Sequence, residues 1–251
     1  MKALIVGYGK MGKAIEQELV ARGHDVVGRI GGEEGRKICL EGEEGRSDPG
    51  RRALSCDVAL EFTAPDAAPG AVSLLLSKKI PVLSGTTGWD IASAVRLARE
   101  QEIPFLHSSN FSIGVAALKS AVAAAAAALA AFPEFEPGIV ERHHSKKKDS
   151  PSGTAKVLAE VLEQASGRAG VPIASLRQGG APGEHLVFFE GESETLELVH
   201  RARSREIFAQ GAVRAAEWML ESGRTGPLTF DDFFAAAAKT GASHGNGGRS
   251  S

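Results

Sequence analysis

The strongest constraint on this chain is Gly7-Tyr8-Gly9-Lys10-Met11-Gly12, a G-x-G-x-x-G run. It follows the apolar stretch Ala3–Val6 and opens Met11–Arg22, where Ile15, Leu19 and Val20 share one helical face. A strand, a glycine turn and a helix in that order are what give this motif its meaning. The first glycine permits a tight turn, the second lets backbone approach a pyrophosphate, and the third lets the helix lie close to the strand. The helix start then offers N–H groups and a partial positive charge to an anion. The six residues are therefore candidates for binding a dinucleotide; the bland alternative is a structural glycine turn. An acid about 20 residues further on often holds the ribose. That position falls near Gly31, with Glu33 and Glu34 displaced, while Arg29 and Arg36 are available to a 2′-phosphate. The choice between NADH and NADPH stays open.

Short apolar runs continue at Val26–Ile30, Asp57–Phe62, Ile80–Leu83 and Ile103–Leu106, separated by helical patterns at Asp66–Ser77 and Trp89–Gln101. Such alternation predicts a doubly wound parallel sheet of the α/β class, Rossmann-like, over residues 1–110. Gly31–Gly50 interrupts it as a glycine-rich charged loop, with one short strand near Lys37–Leu40. Beyond Ser108 the character changes. An alanine-rich helix (Val115–Phe132), a strand (Gly138–Arg142) and a helix (Ser152–Gln164) come first. Strands at Ile173–Arg177, His185–Glu190 and Thr195–His200 and an amphipathic helix at Arg205–Glu221 follow. This reads as a C-terminal α+β domain over 111–218, with a segment near 219–240 returning to the first domain. Residues 241–251, GASHGNGGRSS, read as a disordered tail.

Composition removes several classes. Lys and Arg number 29 against 31 acids, a net charge of -2, so binding to nucleic acid through bulk charge is not expected. Two cysteines among 251 residues exclude a disulfide scaffold and a four-cysteine zinc site. The longest apolar stretch, Val115–Phe132, contains Lys119 and Ser120 and is mostly alanine, so no membrane span is expected. The start, MKALIVG, is too short for a signal peptide, and a cytoplasmic location is expected.

The densest chemistry lies at 141–155, ERHHSKKKDSPSGTA. A run of three lysines before a helix is usually a solvated loop. Here His143 and His144 precede it and Ser152-Gly153-Thr154 follow it. Histidine exchanges protons near neutral pH. Lysine neutralises a carboxylate, and a Ser-Gly-Thr helix start offers hydroxyls and N–H groups to an anion. The combination predicts a pocket for a carboxylated substrate that is protonated during reaction. Adjacent histidines point different ways and no further ligand set accompanies them, so no metal is expected.

With these residues stated, the chain resembles the dihydrodipicolinate reductase (4-hydroxy-tetrahydrodipicolinate reductase) family over nearly its whole length. The resemblance rests on GYGKMG at 7–12, EFTAP at 61–65, GTTG at 85–88, SNFSIG at 109–114, the 141–155 pattern, GEH at 183–185 and HRA at 200–202. It implies NADPH or NADH as cofactor, a small dicarboxylate substrate, and a homotetramer built through the C-terminal sheet. It also implies His143 as proton donor and acceptor and Lys147 as catalytic lysine, with His144, Ser152, Gly153, Thr154 and Thr87 at the substrate. Phe62, Gly85, Thr86 and Thr87, and a second loop of Ser108, Ser109, Asn110 and Phe111, would join the glycine loop at the cofactor. The implied reaction is loss of the 4-hydroxyl as water and hydride delivery to C4. Two other readings remain: an aspartate- or homoserine-type dehydrogenase, and a non-catalytic nicotinamide sensor.

Overall fold

The computed structural model describes residues 1–31 and 55–245, with side chains to residue 240. It divides into two compact units, one of Met1–Phe111 with Glu206 onward, the other of Ser112–Arg205. The expected strand at Lys37–Leu40 and the residues Glu33, Glu34 and Arg36 lie outside the described residues.

In the first unit β1 (Lys2–Val6), β2 (Asp25–Ile30), β3 (Val58–Glu61), β4 (Val82–Ser84), β5 (Phe105–His107) and β10 (Pro227–Thr229) form one sheet. Their order is β10-β5-β4-β3-β1-β2, and every pairing is parallel. Ala3–Val6 and Val58–Leu60 are essentially inaccessible. A parallel strand covered on both faces has no wet side and therefore reads as an unbroken apolar run. The helices are α1 (Lys10–Ala21), α2 (Ala68–Ser77), α3 (Ala92–Glu100), α6 (Glu206–Glu221) and α7 (Phe230–Gly245). From β1 the chain steps to β2 on one side and to β3 on the other, so the glycine loop lies at the point where strand order reverses. Open α/β sheets bind ligands there.

The return to the first unit comes at Glu206, earlier than the expected 219. The reason is a face of small residues on α6: Ala209, Gly211, Ala212, Ala215 and Ala216 are buried. A Cβ on Gly211 would lie 1.7 Å from the Phe111 carbonyl oxygen, so only glycine permits this approach. Glu217 on the same helix accepts from Arg22 (2.7 Å) and pairs with His24 (2.6 Å) beside the end of α1. The expectation of a disordered tail from 241 is corrected in part, because α7 runs on through Gly245.

In the second unit β6 (Glu136–His143), β7 (Ile173–Arg177), β8 (Glu184–Glu190) and β9 (Thr195–Arg201) form a sheet of order β7-β6-β8-β9. β6 and β7 are parallel, and the other pairs are antiparallel. Helices α4 (Ile113–Leu129) and α5 (Gly153–Ser166) pack on each other and cover one face. Leu118, Val122, Ile139, Leu158, Leu162, Val187 and Phe189 form the core between them. Pairing Glu141 with His185, and His185 with His200, sets three polar residues on the core-facing side.

Candidate active site

The first unit's site is built from strand ends. Gly7 has φ +98, a conformation that favours glycine, and a Cβ there would lie 2.2 Å from the Phe62 carbonyl oxygen. A Cβ on Gly12 would lie 2.3 Å from the Gly7 carbonyl oxygen, so α1 lies directly on the turn. A Cβ on Gly9 would meet nothing within 4 Å, which leaves its backbone open to a ligand. Gly9 also starts α1 without a side-chain cap, so the helix N–H groups are available to an anion. These three positions fit the three roles that a dinucleotide loop requires.

The loops after β3, β4 and β5 converge beside it. A Cβ on Gly85 would lie 2.1 Å from the Phe62 ring, and the Phe62 and Phe111 rings are 5.8 Å apart. The Thr86 carbonyl accepts from Trp89 Nε1 (2.9 Å) and faces His107 Nε2 (3.1 Å). Ser108 Oγ donates to the Asn110 carbonyl (2.7 Å), while Ser109 is exposed. Thr87 is exposed in the first unit, whereas the other expected substrate residues belong to the second. Tyr8, Lys10 and Met11 stand in the loop and first turn as expected. Tyr8 and Arg29 both hydrogen-bond Glu16, so Arg29 is already paired. At Gly31 a Cβ would lie 2.8 Å from Tyr8 Cβ, so a side chain at that position would press on Tyr8.

One residue here was not expected as a site residue, although EFTAP carried it. Glu61 ends β3 and is fully buried. Its carboxylate accepts from Thr63 N–H (2.8 Å), Thr63 Oγ1, Ser84 Oγ (2.6 Å) and Thr86 Oγ1 (2.6 Å).

In the second unit the site centres on His143, which is almost buried at the end of β6. Glu141, two residues earlier and on the same strand face, hydrogen-bonds its Nδ1. A carboxylate only accepts, so Nδ1 carries the proton and Nε2 is the exchangeable nitrogen. Arg177 on β7 donates to both Glu141 oxygens (2.9 and 2.6 Å), and Ser152 N–H adds a further bond (3.2 Å). Burial by itself raises the Glu141 carboxyl, but the Arg177, Ser175, His143 and Ser152 donors outweigh it and hold it at about 2. Burial lowers the His143 imidazole, and the Lys147 and Arg177 charges add to this against the opposing Glu141.

Ser152 caps α5 by accepting from Ala155 N–H (3.2 Å) and meets His185 Nε2 (3.3 Å). A Cβ on Gly153 would meet nothing within 4 Å, so the helix start is accessible there. Lys147 Nζ pairs with Asp149 (2.9 Å), and Asp149 also takes the Gly153 N–H, so this helix start holds a carboxylate of the chain itself. Thr154 stands in the first turn, and the His144 N–H donates to the Ala181 carbonyl (2.9 Å). The His143 and His185 rings lie edge to face at 5.2 Å, and His200 lies 6.4 Å beyond His185. Burial, with repulsion from His143 and His200, pushes His185 down to about 4.

All six expected second-unit residues therefore lie within one strand end, loop and helix start. Arg177, His185 and His200 were not expected as site residues, although GEH and HRA carried two of them. The i, i+2 spacing of Glu141 and His143 on a strand was the available signal for the carboxylate. Among the described residues no group of His, Cys, Asp and Glu suits a metal ion. No described helix is long and apolar enough to cross a membrane.

Comparisons with known proteins identify the family. The family models for the N-terminal and C-terminal parts of dihydrodipicolinate reductase match residues 1–111 and 114–234. A 4-hydroxy-tetrahydrodipicolinate reductase of Christiangramia forsetii is 34% identical, with 92% of this chain and 97% of the relative covered. One of Archaeoglobus fulgidus is 36% identical, covering 90% and 96%. The dipicolinate-bound dihydrodipicolinate reductase from Paenisporosarcina sp. TG-14 shares the fold at a TM-score of 0.72 and 22% identity, over 91% of this chain and 97% of that one. The chain thus belongs to the dihydrodipicolinate reductase family.

Proposed function

We propose that this protein reduces 4-hydroxy-tetrahydrodipicolinate to tetrahydrodipicolinate with loss of water, in the diaminopimelate route to lysine, as an enzyme of the cytoplasm. NADPH or NADH, held at the glycine loop with its nicotinamide at the Phe62 and Gly85–Thr87 loops, supplies the hydride. The observation that carries the reading is the Glu141–His143 pair set beside the Lys147 loop and the α5 start. One substrate carboxylate takes the Gly153 and Thr154 helix start and draws Lys147 from Asp149. A fixed cation and a helix N-terminus stabilise negative charge without reorganising during reaction. As hydride arrives at C4, the neighbouring carbon takes a proton, and His143 Nε2 gives it. Glu141 fixes the tautomer, and burial makes the protonated imidazole a stronger acid than usual. The matched family models favour this reading over an aspartate- or homoserine-type dehydrogenase and over a sensor.

The sheet face away from α4 and α5 presents Val140, Leu176 and Val199, all more than a third exposed, beside Leu186 and Phe188. An apolar sheet face of this kind supports assembly through the second unit, and we assign it to the homotetramer.

Nucleotide oxidation followed at 340 nm with freshly generated substrate tests the function. His143→Gln and Lys147→Ala are each expected to lower kcat by about 10²–10⁴, the range for acid–base groups. Normal turnover in both variants contradicts the assignment. With His143 as the acid, kcat falls as pH rises through a value below the ordinary 6.5 of histidine. A kcat that shows no such fall would contradict His143 as the acid.

A further inference from the structure

Glu61 is a buried acid whose partners are all neutral. Thr63 N–H and the hydroxyls of Thr63, Ser84 and Thr86 donate to it, and among the described residues no cation lies within salt-bridge distance. Thr86 Oγ1 itself accepts from Thr63 N–H (2.9 Å), so its own proton is free to go to Glu61. A carboxylate surrounded in this way is solvated by fixed dipoles while its net charge is retained. It joins the loop after β3, which carries Phe62, to the loop after β4, which carries Gly85, Thr86 and Thr87. Those are the loops expected to receive the nicotinamide, and a Cβ on Gly85 has no room beside Phe62. Hydride donation turns a neutral nicotinamide into a cation, so a fixed negative charge near it favours the oxidised nucleotide and the transition state leading to it.

We propose that Glu61 is a positioning residue whose retained charge biases the nucleotide site toward the oxidised cofactor. This rests on the nicotinamide placement in the proposed function. The test is direct titration of wild-type protein and Glu61→Gln with NADPH and with NADP⁺, giving two dissociation constants for each. Glutamine keeps the shape and removes the charge. The expected result is a roughly tenfold weakening for NADP⁺ relative to NADPH, the size of a unit charge acting over about 12 Å at an effective dielectric near 20. Ser84→Ala deletes one hydrogen bond and leaves the charge, so the ratio of the two constants should stay at the wild-type value. Equal weakening of both nucleotides in Glu61→Gln would make Glu61 a loop clamp only and overturn the inference. Should Glu61→Gln fail to fold, Glu61→Ser decides, because it also removes the charge: a ratio shifted against NADP⁺ supports the inference, and the wild-type ratio overturns it. Wild-type protein that binds neither nucleotide would overturn the proposed function as well; binding with an unmoved ratio overturns only this inference.

Discussion

Glu61 and Glu141 are both fully buried glutamates on strands that lead into a site, yet they are satisfied in opposite ways. Glu141 sits between Arg177 and His143, so its charge is balanced by a guanidinium and spent on orienting an imidazole. Glu61 has hydroxyls and one backbone N–H. The difference shows that burying a carboxylate does not by itself state its purpose. A paired acid holds a neighbour in place, and an unpaired one projects a field. Each arrangement also suits its unit, since one is expected to meet an anionic substrate and the other a cofactor that becomes positive.

The sharpest way to break the comparison is to remove the cation from one side. Arg177→Ala leaves Glu141 buried with His143, Ser175 and Ser152 but no guanidinium, and should cost about 3–5 kcal/mol in urea unfolding. A loss under 1 kcal/mol would mean that Glu141, like Glu61, is sustained by dipoles.

Acid should also separate the units. His185 lies at about 4 in the folded protein against 6.5 for an ordinary histidine. The unfolded chain therefore binds more protons between those values, and stability falls as pH drops from 6.5 to 4. The fall amounts to about 3 kcal/mol, with the effect absent above that window. Glu141 extends the loss below pH 4.5 toward 2. Urea midpoints at pH 7, 5 and 4 measure this, and His185→Gln should flatten the upper part. An unchanged slope in that variant contradicts the account.

On the other side, Thr86→Val removes one hydroxyl from the buried Glu61 carboxylate. It should cost about 1.5–3 kcal/mol of stability, the range for hydrogen bonds to charged groups. No measurable loss would show that the remaining donors suffice. The smallest effect is expected at the surface. Asp149→Asn frees Lys147 from its exposed partner and should tighten dicarboxylate binding by about two- to fivefold, in line with the modest worth of exposed ion pairs. Weaker binding would show instead that Asp149 holds Lys147 in its working position.

Most of the fold was legible because its elements follow local rules. Ala3–Val6 and Asp57–Phe62 are short apolar runs beside glycine or proline, and both are central strands. The 141–155 segment was legible because its residues are adjacent in sequence. The rest depends on contacts that local patterns do not carry. Glu61 acquires meaning only when Ser84 and Thr86, 23 and 25 residues away, are brought beside it. A lone acid at a strand end has no period to betray it. The α6 helix showed its amphipathic pattern clearly, but its unit is decided by the fit of Gly211 against Phe111. The glycine-rich tail lacked core residues, yet α7 carries helical hydrogen bonding into its first five positions.

A crystal structure with dipicolinate and NADPH bound tests the central claim most directly. The account predicts one carboxylate at the Gly153–Thr154 helix start with Lys147 Nζ upon it, and His143 Nε2 facing the ring. A ring bound elsewhere, with Lys147 still on Asp149, would contradict it.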